Sequence, residues 1–294
     1  MEVSYHKACF LCGSPKIKTL KGYEEHKLVQ CSDCTFVFMQ RIPTVEELVD
    51  YYSVYAYEQQ NTMSEPTRIS LEKLVDKFRP YKKSNKILDV GCGEGWILEI
   101  AKTNGWEVYG TEYSSRAIEI CEAKGIKMYH GILDPEKMDV KEFDVIISSE
   151  TVEHINNPIE DLNNMNKLLR KGGLLYVTTP NFNSYLRRML KSKYNVITYP
   201  EHLSYYTKTT LHALLTRSGF QKVKLLTTGI SFTRYQNSTK STGEQDHGGG
   251  ISSDEKLRKR IIRSSGLQFM KRLVNQGLTF SGLGMTLKAY YIKK

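Results

Sequence analysis

The stretch Ile87-Leu88-Asp89-Val90-Gly91-Cys92-Gly93-Glu94-Gly95-Trp96-Ile97-Leu98 constrains this chain more than any other. A Leu and β-branched run ends in glycines at every second position, and a helical apolar pattern, Ile97, Leu98, Ile100 and Ala101, follows at once. That order predicts strand, tight turn and helix. Glycines at 91, 93 and 95 let the backbone bend sharply and bring a ligand against main-chain N–H groups. The run Glu107–Thr111 predicts a second strand. It ends in Glu112, 17 residues after Gly95, near the spacing at which an acidic side chain takes a ribose diol. The unit reads as a βαβ nucleotide-type site in an α/β chain. The dinucleotide pattern G-x-G-x-x-G is not met, because the third glycine falls one position early.

What is present, Asp-Val-Gly-Cys-Gly-Glu-Gly, resembles the first motif of class I S-adenosylmethionine (SAM)-dependent methyltransferases, over roughly residues 70–230. The resemblance implies a Rossmann-like, doubly wound, seven-stranded sheet and an enzyme that uses S-adenosyl-L-methionine. It implies cofactor contacts from Asp89, Gly91, Cys92, Gly93 and Gly95 at the turn, Glu112 and Tyr113 after the second strand, and Ser149 and Glu150 after the fourth. The third strand, Ile126–His130, leads to Gly131-Ile132, where many such enzymes carry an acid that reads the adenine amine. Here the position is apolar, so backbone groups with Ile132 and Leu133 are expected to hold the adenine.

Four of the six cysteines form Cys9-x2-Cys12 and Cys31-x2-Cys34 with 18 residues between the pairs, a spacing that predicts two knuckles closing one tetrahedral zinc site. A closed four-thiolate site has no open position, so the zinc is expected to be structural, and a segment this small needs it for stability. His26 is then spare, and Cys92 and Cys121 read as plain small residues. The expected organisation is a zinc ribbon over 1–42, a helical, Tyr-rich connector over 43–80, and a methyltransferase domain over 81–294 with a basic insertion around 237–280. In the connector, Pro43-Thr44 opens a helix with Leu48 and Val49 on one face. The run from Tyr51 to Tyr57 is a packing bridge or a substrate-facing lid, and a helix follows over Thr67–Phe78.

The fourth strand, Phe143–Ser149, runs straight into Glu150-Thr151-Val152-Glu153-His154. Ligands bind beyond the carboxyl ends of such strands, and in a helical turn 150, 153 and 154 would share a face. The run E-x-x-E-H is similar to one in the O-methyltransferases of ubiquinone biosynthesis. That likeness implies Mg2+ or another divalent cation on Glu150, Glu153 and His154; the alternative is a common loop signature with His154 bonded structurally. A helix Pro158–Leu169, a capping turn Lys171-Gly172-Gly173, a strand Leu174–Thr179 and an amphipathic helix Phe182–Leu190 follow. Tyr199-Pro200-Glu201-His202 then resembles the Y-x-E-H run of zinc-containing deoxysugar C-methyltransferases. It implies Tyr199, Glu201 and His202 at the acceptor, with His202 as general base. The alternative has His202 capping the helix from Lys208 to Ser218. Those enzymes carry a long additional C-terminal domain, which this chain is expected to lack.

A composition of 40% hydrophobic and 25% charged residues is ordinary for a soluble protein, and no run of about 18 apolar residues or signal-peptide plan is seen, so a cytoplasmic location is expected. Of the net +10, nearly all resides after residue 254, where ten Lys/Arg face one acid, Glu255. This is a solvated helix face, or a docking surface for an acidic substrate, RNA phosphates or an anionic membrane. A last hairpin is expected from Lys222–Thr227 and Thr286–Ile292, with a mobile loop over Asn237–Ser253, a basic helix over Asp254–Arg263 and a segment Leu267–Leu278 between. The leading functional expectation is methyl transfer, O-methylation favoured, to a small, acidic or nucleotide-linked acceptor such as a sugar nucleotide or a glycan or natural-product precursor. The alternatives are an RNA methyltransferase, with the ribbon and basic segment holding the nucleic acid, and a SAM-binding, non-catalytic partner.

Overall fold

In the computed structural model the described residues are 4–44, 47, 62–198, 201–239 and 253–294. The chain opens with short strands β1 (Ser4–Tyr5), β2 (Ile17–Thr19), β3 (Leu28–Cys31), β4 (Val37–Met39) and β5 (Arg41–Ile42). Helix α1 (Glu65–Asp76) leads into an alternating series: β6 (Lys86–Val90), α2 (Trp96–Thr103), β7 (Glu107–Glu112), α3 (Ser115–Ala123), β8 (Lys127–His130), β9 (Phe143–Ser149), α4 (Pro158–Leu168) and β10 (Leu169–Pro180). Then come α5 (Tyr185–Leu190), β11 (Ser204–Tyr205), α6 (Lys208–Arg217), β12 (Phe220–Thr228), α7 (Phe232–Thr239), α8 (Ser253–Arg263), α9 (Ser265–Ser281) and β13 (Thr286–Lys293).

Seven strands form one sheet in the order β12-β13-β10-β9-β6-β7-β8. The five strands β6 to β10 run parallel, and β13 enters antiparallel between β10 and β12. Strand alternation explains why the central strands are apolar throughout. Ile87, Val145, Ile147, Leu174 and Tyr176 enter one core layer with Val75, Leu98 and Trp106. Leu88, Val90, Ile146, Leu175 and Val177 enter the other with Leu162, Met165, Leu211 and Leu214. The order of strands reverses between β6 and β9, which opens the crevice where ligands of such sheets bind.

The second core layer continues into the N-terminal ribbon. Cys9, Leu11, Phe36 and Phe38 belong to the same buried cluster, and the Phe36 ring lies 5.3 Å from that of Tyr206. Strand β11 pairs with β4, Ser204 opposite Phe38 and Tyr205 opposite Val37, and the Met39 N–H donates to the Leu203 carbonyl at 2.9 Å. The ribbon sheet, β11-β4-β3-β2, thus draws its fourth strand from far along the chain.

Four local expectations are corrected. Lys171-Gly172-Gly173 does not cap a helix: α4 already ends at Leu168, and the three residues form an irregularity inside β10, with Gly172 at φ +72°. The helix expected from Thr67 starts at Glu65, where Pro66 takes the first turn. The helix expected from Phe182 starts at Tyr185, because Ser184 caps it by accepting from the Arg187 N–H. Residues 237–239 belong to α7 rather than to a loop. The rest of that loop, 240–252, the 44–49 helix beyond its first residues and the tyrosine run 51–57 lie outside the described residues.

Candidate active site

The glycine turn lies where β6 meets α2. Gly91 has φ +70°, and a Cβ there would stand 2.8 Å from Thr151 Cγ2; at Gly95, also φ +70°, one would stand 2.8 Å from Cys121 Sγ. Only glycine leaves this backbone free to approach a ligand. Glu112, at the end of β7, accepts from the Gly93 N–H at 2.9 Å through one carboxylate oxygen and from the N–H groups of Tyr113 and Ser114 through the other. The acid and the turn expected to share a ligand are therefore neighbours. Asp89 is buried beneath them, and burial, with the charges of Cys121 and Glu112, holds its carboxyl well above the usual range. Cys92 Sγ lies 4.0 Å from Cys121 Sγ behind the turn.

Tyr113 and Ile132 are exposed along the crevice. Leu133 is not: its side chain belongs to the core with Met138 and Leu162, so of the pair expected at adenine only Ile132 is presented. Ser149 Oγ is bonded to Thr178 Oγ1 at 3.0 Å. Glu150 adopts a left-handed φ of +54°, uncommon for a residue with a side chain, and its N–H donates to the Thr178 carbonyl at 2.9 Å.

That left-handed residue breaks the helical spacing. Val152–His154 form a single 3-10 turn beginning after Glu150, so the three polar residues do not line one helix face. The cluster that forms instead is Glu153, His154 and His202, whose nearest ligand atoms all lie within 4.8 Å of one another, with His202 taking the place expected for Glu150. The His154 and His202 rings meet edge to face at 4.7 Å. His154 Nδ1 lies 2.7 Å from the Glu201 carbonyl and His202 Nδ1 2.5 Å from the Val196 carbonyl. A carbonyl only accepts, so each Nδ1 carries the proton, and in His202 the Nε2 presents its lone pair. Burial, and then the His202 charge, push the His154 pKa down to about 4; burial also lowers that of His202. Glu153 is 1% exposed, and neither of its carboxylate oxygens has a hydrogen bond among the described residues. Burial, reinforced by the Glu150 charge, raises its pKa well above the usual value.

His202 arrives through the ribbon. The Leu203 N–H donates to the Glu153 carbonyl at 2.8 Å while the Leu203 carbonyl accepts from Met39. The helix after it is capped by Thr207, which accepts from the Thr210 N–H, so the capping role open to His202 is taken. Glu201 Oε2 accepts from the Thr198 hydroxyl at 3.0 Å, and Tyr199 lies outside the described residues. The cavity beside Glu153 and His202 is lined by Asn181, Phe182, Tyr194 and Tyr205 as well. Phe182 and Tyr194 carry no sequence signal beyond apolarity. Asn181 could be suspected from its place after Pro180, but its amide donates to the Gly282 and Gly284 carbonyls at 3.0 and 2.7 Å, so it ties the connection to β13.

At the other end of the ribbon the four thiols converge. Cys9 Sγ lies 3.6 Å from Cys34 Sγ and Cys12 Sγ 3.5 Å from Cys31 Sγ, and all four fall within 4.8 Å of one another. The two knuckles match: the Gly13 N–H donates to the Cys9 carbonyl at 2.7 Å and the Thr35 N–H to that of Cys31 at 3.0 Å, with both donor residues in the left-handed region. His26 is indeed elsewhere, bonded to the Ser192 carbonyl.

A sheet whose strands run β8-β7-β6-β9-β10-β13-β12, with a glycine turn after the first of the parallel series and an acid after the second, defines the class I SAM-dependent methyltransferases. A methyltransferase domain family model matches residues 63–225, and the chain belongs to that family. Among curated relatives, it is 33% identical over 119 residues to the ubiquinone biosynthesis O-methyltransferase of Pelagibacter ubique, covering 38% of this chain and 50% of that protein. To the protein of the same name from Roseobacter denitrificans it is 30% identical over 153 residues, covering 48% of this chain and 62% of that protein. The chain thus spans between half and two thirds of the relatives it matches. A solved SAM-dependent methyltransferase from Archaeoglobus fulgidus superposes with a TM-score of 0.50 at 21% identity, over 83% of this chain and all of that one, which speaks for the fold alone.

Proposed function

We propose that the protein transfers the methyl group of SAM to a hydroxyl of a small acceptor held beside Glu153, His154 and His202. The observation that carries this reading is the pair of neutral histidines over a buried carboxylate, just beyond the end of β9. The O-methyl preference is supported by the names of the curated relatives. SAM brings an activated methyl on a sulfonium; what the chain must add is alignment, exclusion of water and removal of the acceptor's proton. Gly91, Gly93, Gly95, Glu112, Tyr113 and Ile132 hold the cofactor in this account, with Asp89 beneath the turn and Ser149 and Glu150 at the strand end. His202 Nε2 takes the proton, because its Nδ1–H is engaged by Val196 and the ring is kept neutral by burial. The His154 ring packs edge to face on that of His202, and the Glu201 carbonyl fixes His154 in turn. A sugar-nucleotide or glycan-precursor acceptor rests on the Tyr199-to-His202 run.

The four cysteines hold a structural zinc in this account. Zn–S bonds of about 2.3 Å in a tetrahedron put the sulfurs roughly 3.8 Å apart, close to the separations seen.

A second reading is favoured by the same cluster: a divalent cation on Glu153, His154 and His202, which would pair the buried carboxylate and lower the pKa of the acceptor hydroxyl. Two imidazoles and one carboxylate suit a borderline ion such as Zn2+ better than Mg2+. Transfer of label from methyl-labelled SAM decides between the readings. Under the base reading, turnover survives a chelator too weak to strip the four-thiolate site, and His202→Gln lowers kcat by about 10²–10⁴ with SAM affinity kept. Loss with that chelator and recovery with added divalent ion would establish the cation; equal loss of SAM affinity and kcat in His202→Gln would remove His202 from the chemistry.

A further inference from the structure

Helix α9 is built inside out. A helix lying on a sheet normally turns its apolar stripe to the core and its polar face to water. In α9 no residue is buried, and the face toward the sheet is polar. Asn275 accepts from the Gly229 N–H at 3.0 Å, and the Thr279 hydroxyl donates to the Thr227 carbonyl at 2.9 Å. The opposite face carries Phe269, Met270, Leu273, Val274 and Phe280, all exposed, with Phe280 95% exposed. The spacing 269/270, 273/274, 277 and 280/281 is one continuous stripe. Exposed apolar surface of this extent marks a docking site.

The stripe is flanked by cations. Lys271 and Arg272 lie on α9, and α8, joined to it by one residue, carries Lys256, Arg258, Lys259, Arg260 and Arg263. The two sets are near each other, since burial and then the charges of Arg258 and Lys73 lower the Lys271 pKa. Of the two acids on α8, Asp254 is turned inward, accepting from the Phe232 N–H at 2.9 Å at the start of α7. Charge complementarity therefore selects the occupant. A second copy would bring cations against cations, and RNA, whose bases could stack on the two phenylalanines, offers nothing apolar to Met270, Leu273 and Val274. No helix among the described residues is long and apolar enough to cross a membrane, so a bilayer would be met in the plane.

We propose that α9 lies in the interface of an anionic phospholipid bilayer, its apolar stripe at the acyl boundary and the basic residues of α8 and α9 on the headgroups. This reading is independent of the chemistry proposed above. The test is cosedimentation of the full chain with vesicles of phosphatidylcholine alone and of phosphatidylcholine with phosphatidylglycerol. Binding is expected to the anionic vesicles and not to the neutral ones, and to fall with salt. The double variant Met270→Glu, Leu273→Glu should abolish it, with the circular dichroism spectrum unchanged because both side chains are exposed. Lys271→Gln with Arg272→Gln should weaken it by about tenfold or more. No binding to anionic vesicles, or equal binding to both kinds, would overturn the proposal. So would a dimer in solution that the glutamate variant dissociates, or RNA binding that the glutamate variant retains.

Discussion

Asp144 lies at the foot of β9 with its side chain fully buried, and it holds four donors: the N–H groups of Lys83, Ser84 and Asn85 on one oxygen and Arg170 Nε at 2.5 Å on the other. Burial alone would raise its carboxyl; Arg170 and the Lys83 and Ser84 amides outweigh burial and lower it. A depressed folded-state pKa means stability that is complete above the unfolded value, about 3.9, and lost as pH falls through the lower folded one. Asp144→Ala should therefore cost about 3 kcal/mol near neutrality in denaturant titrations, and the variant should lose much of the wild type's acid dependence. His202 is shifted the same way for a different reason, burial. As the base it is active when deprotonated, so kcat should stay flat above the usual histidine value of 6.5 and fall only as acid crosses its lowered pKa. A rate profile with its acid limb above 6.5 would contradict that assignment. At Gly91 a side chain meets both a left-handed φ and Thr151. Gly91→Ala should destabilise by about 1–2 kcal/mol and weaken SAM binding measured by calorimetry.

At the scale of elements the short strand β11 matters most, because it joins the ribbon to the acceptor side through Met39, Leu203 and Glu153. The ribbon then backs the candidate site, since Tyr23, Leu28, Val37 and Met39 share a buried cluster with the lining residues Phe182, Tyr194, Val196 and Tyr205. Phe36 packs on Tyr206 within the shared core, so Phe36→Ala should cost about 3–5 kcal/mol and lower the midpoint of one common unfolding transition. A separate early transition for the ribbon would show the two parts to be independent. This junction also marks the boundary of what the sequence discloses. The glycine turn, the acid after β7, the Ser114 cap of α3 and the four-cysteine set are local patterns, and each is found where it was expected. The meeting of His154 with His202 is not local. It depends on a two-residue strand with no periodicity of its own, and on Glu150 taking a left-handed conformation that displaces it from the i, i+3, i+4 set. The burial of Leu133 is non-local for a similar reason: Ile132 is exposed and Leu133 is inside, and only packing with Met138 and Leu162 decides which is which.

At the scale of the whole molecule, the reversal of strand order opens a crevice between β6 and β9, while residues from the 180–197 and 202–205 stretches line the cavity beside Glu153. The excess positive charge lies on the inserted helices between β12 and β13, beside an exposed apolar stripe. The central claim is a methyltransferase with a small-molecule acceptor at Glu153, His154 and His202. Its most direct test is to incubate the protein and its His202→Gln variant with methyl-labelled SAM and host extract, then separate small-molecule, glycan and RNA fractions. The account predicts label in the small-molecule or glycan fraction with the wild type, and about 10²–10⁴ less with the variant, although both bind SAM equally. Label in RNA, equal labelling by the two proteins, or SAM binding without transfer to any fraction would contradict it.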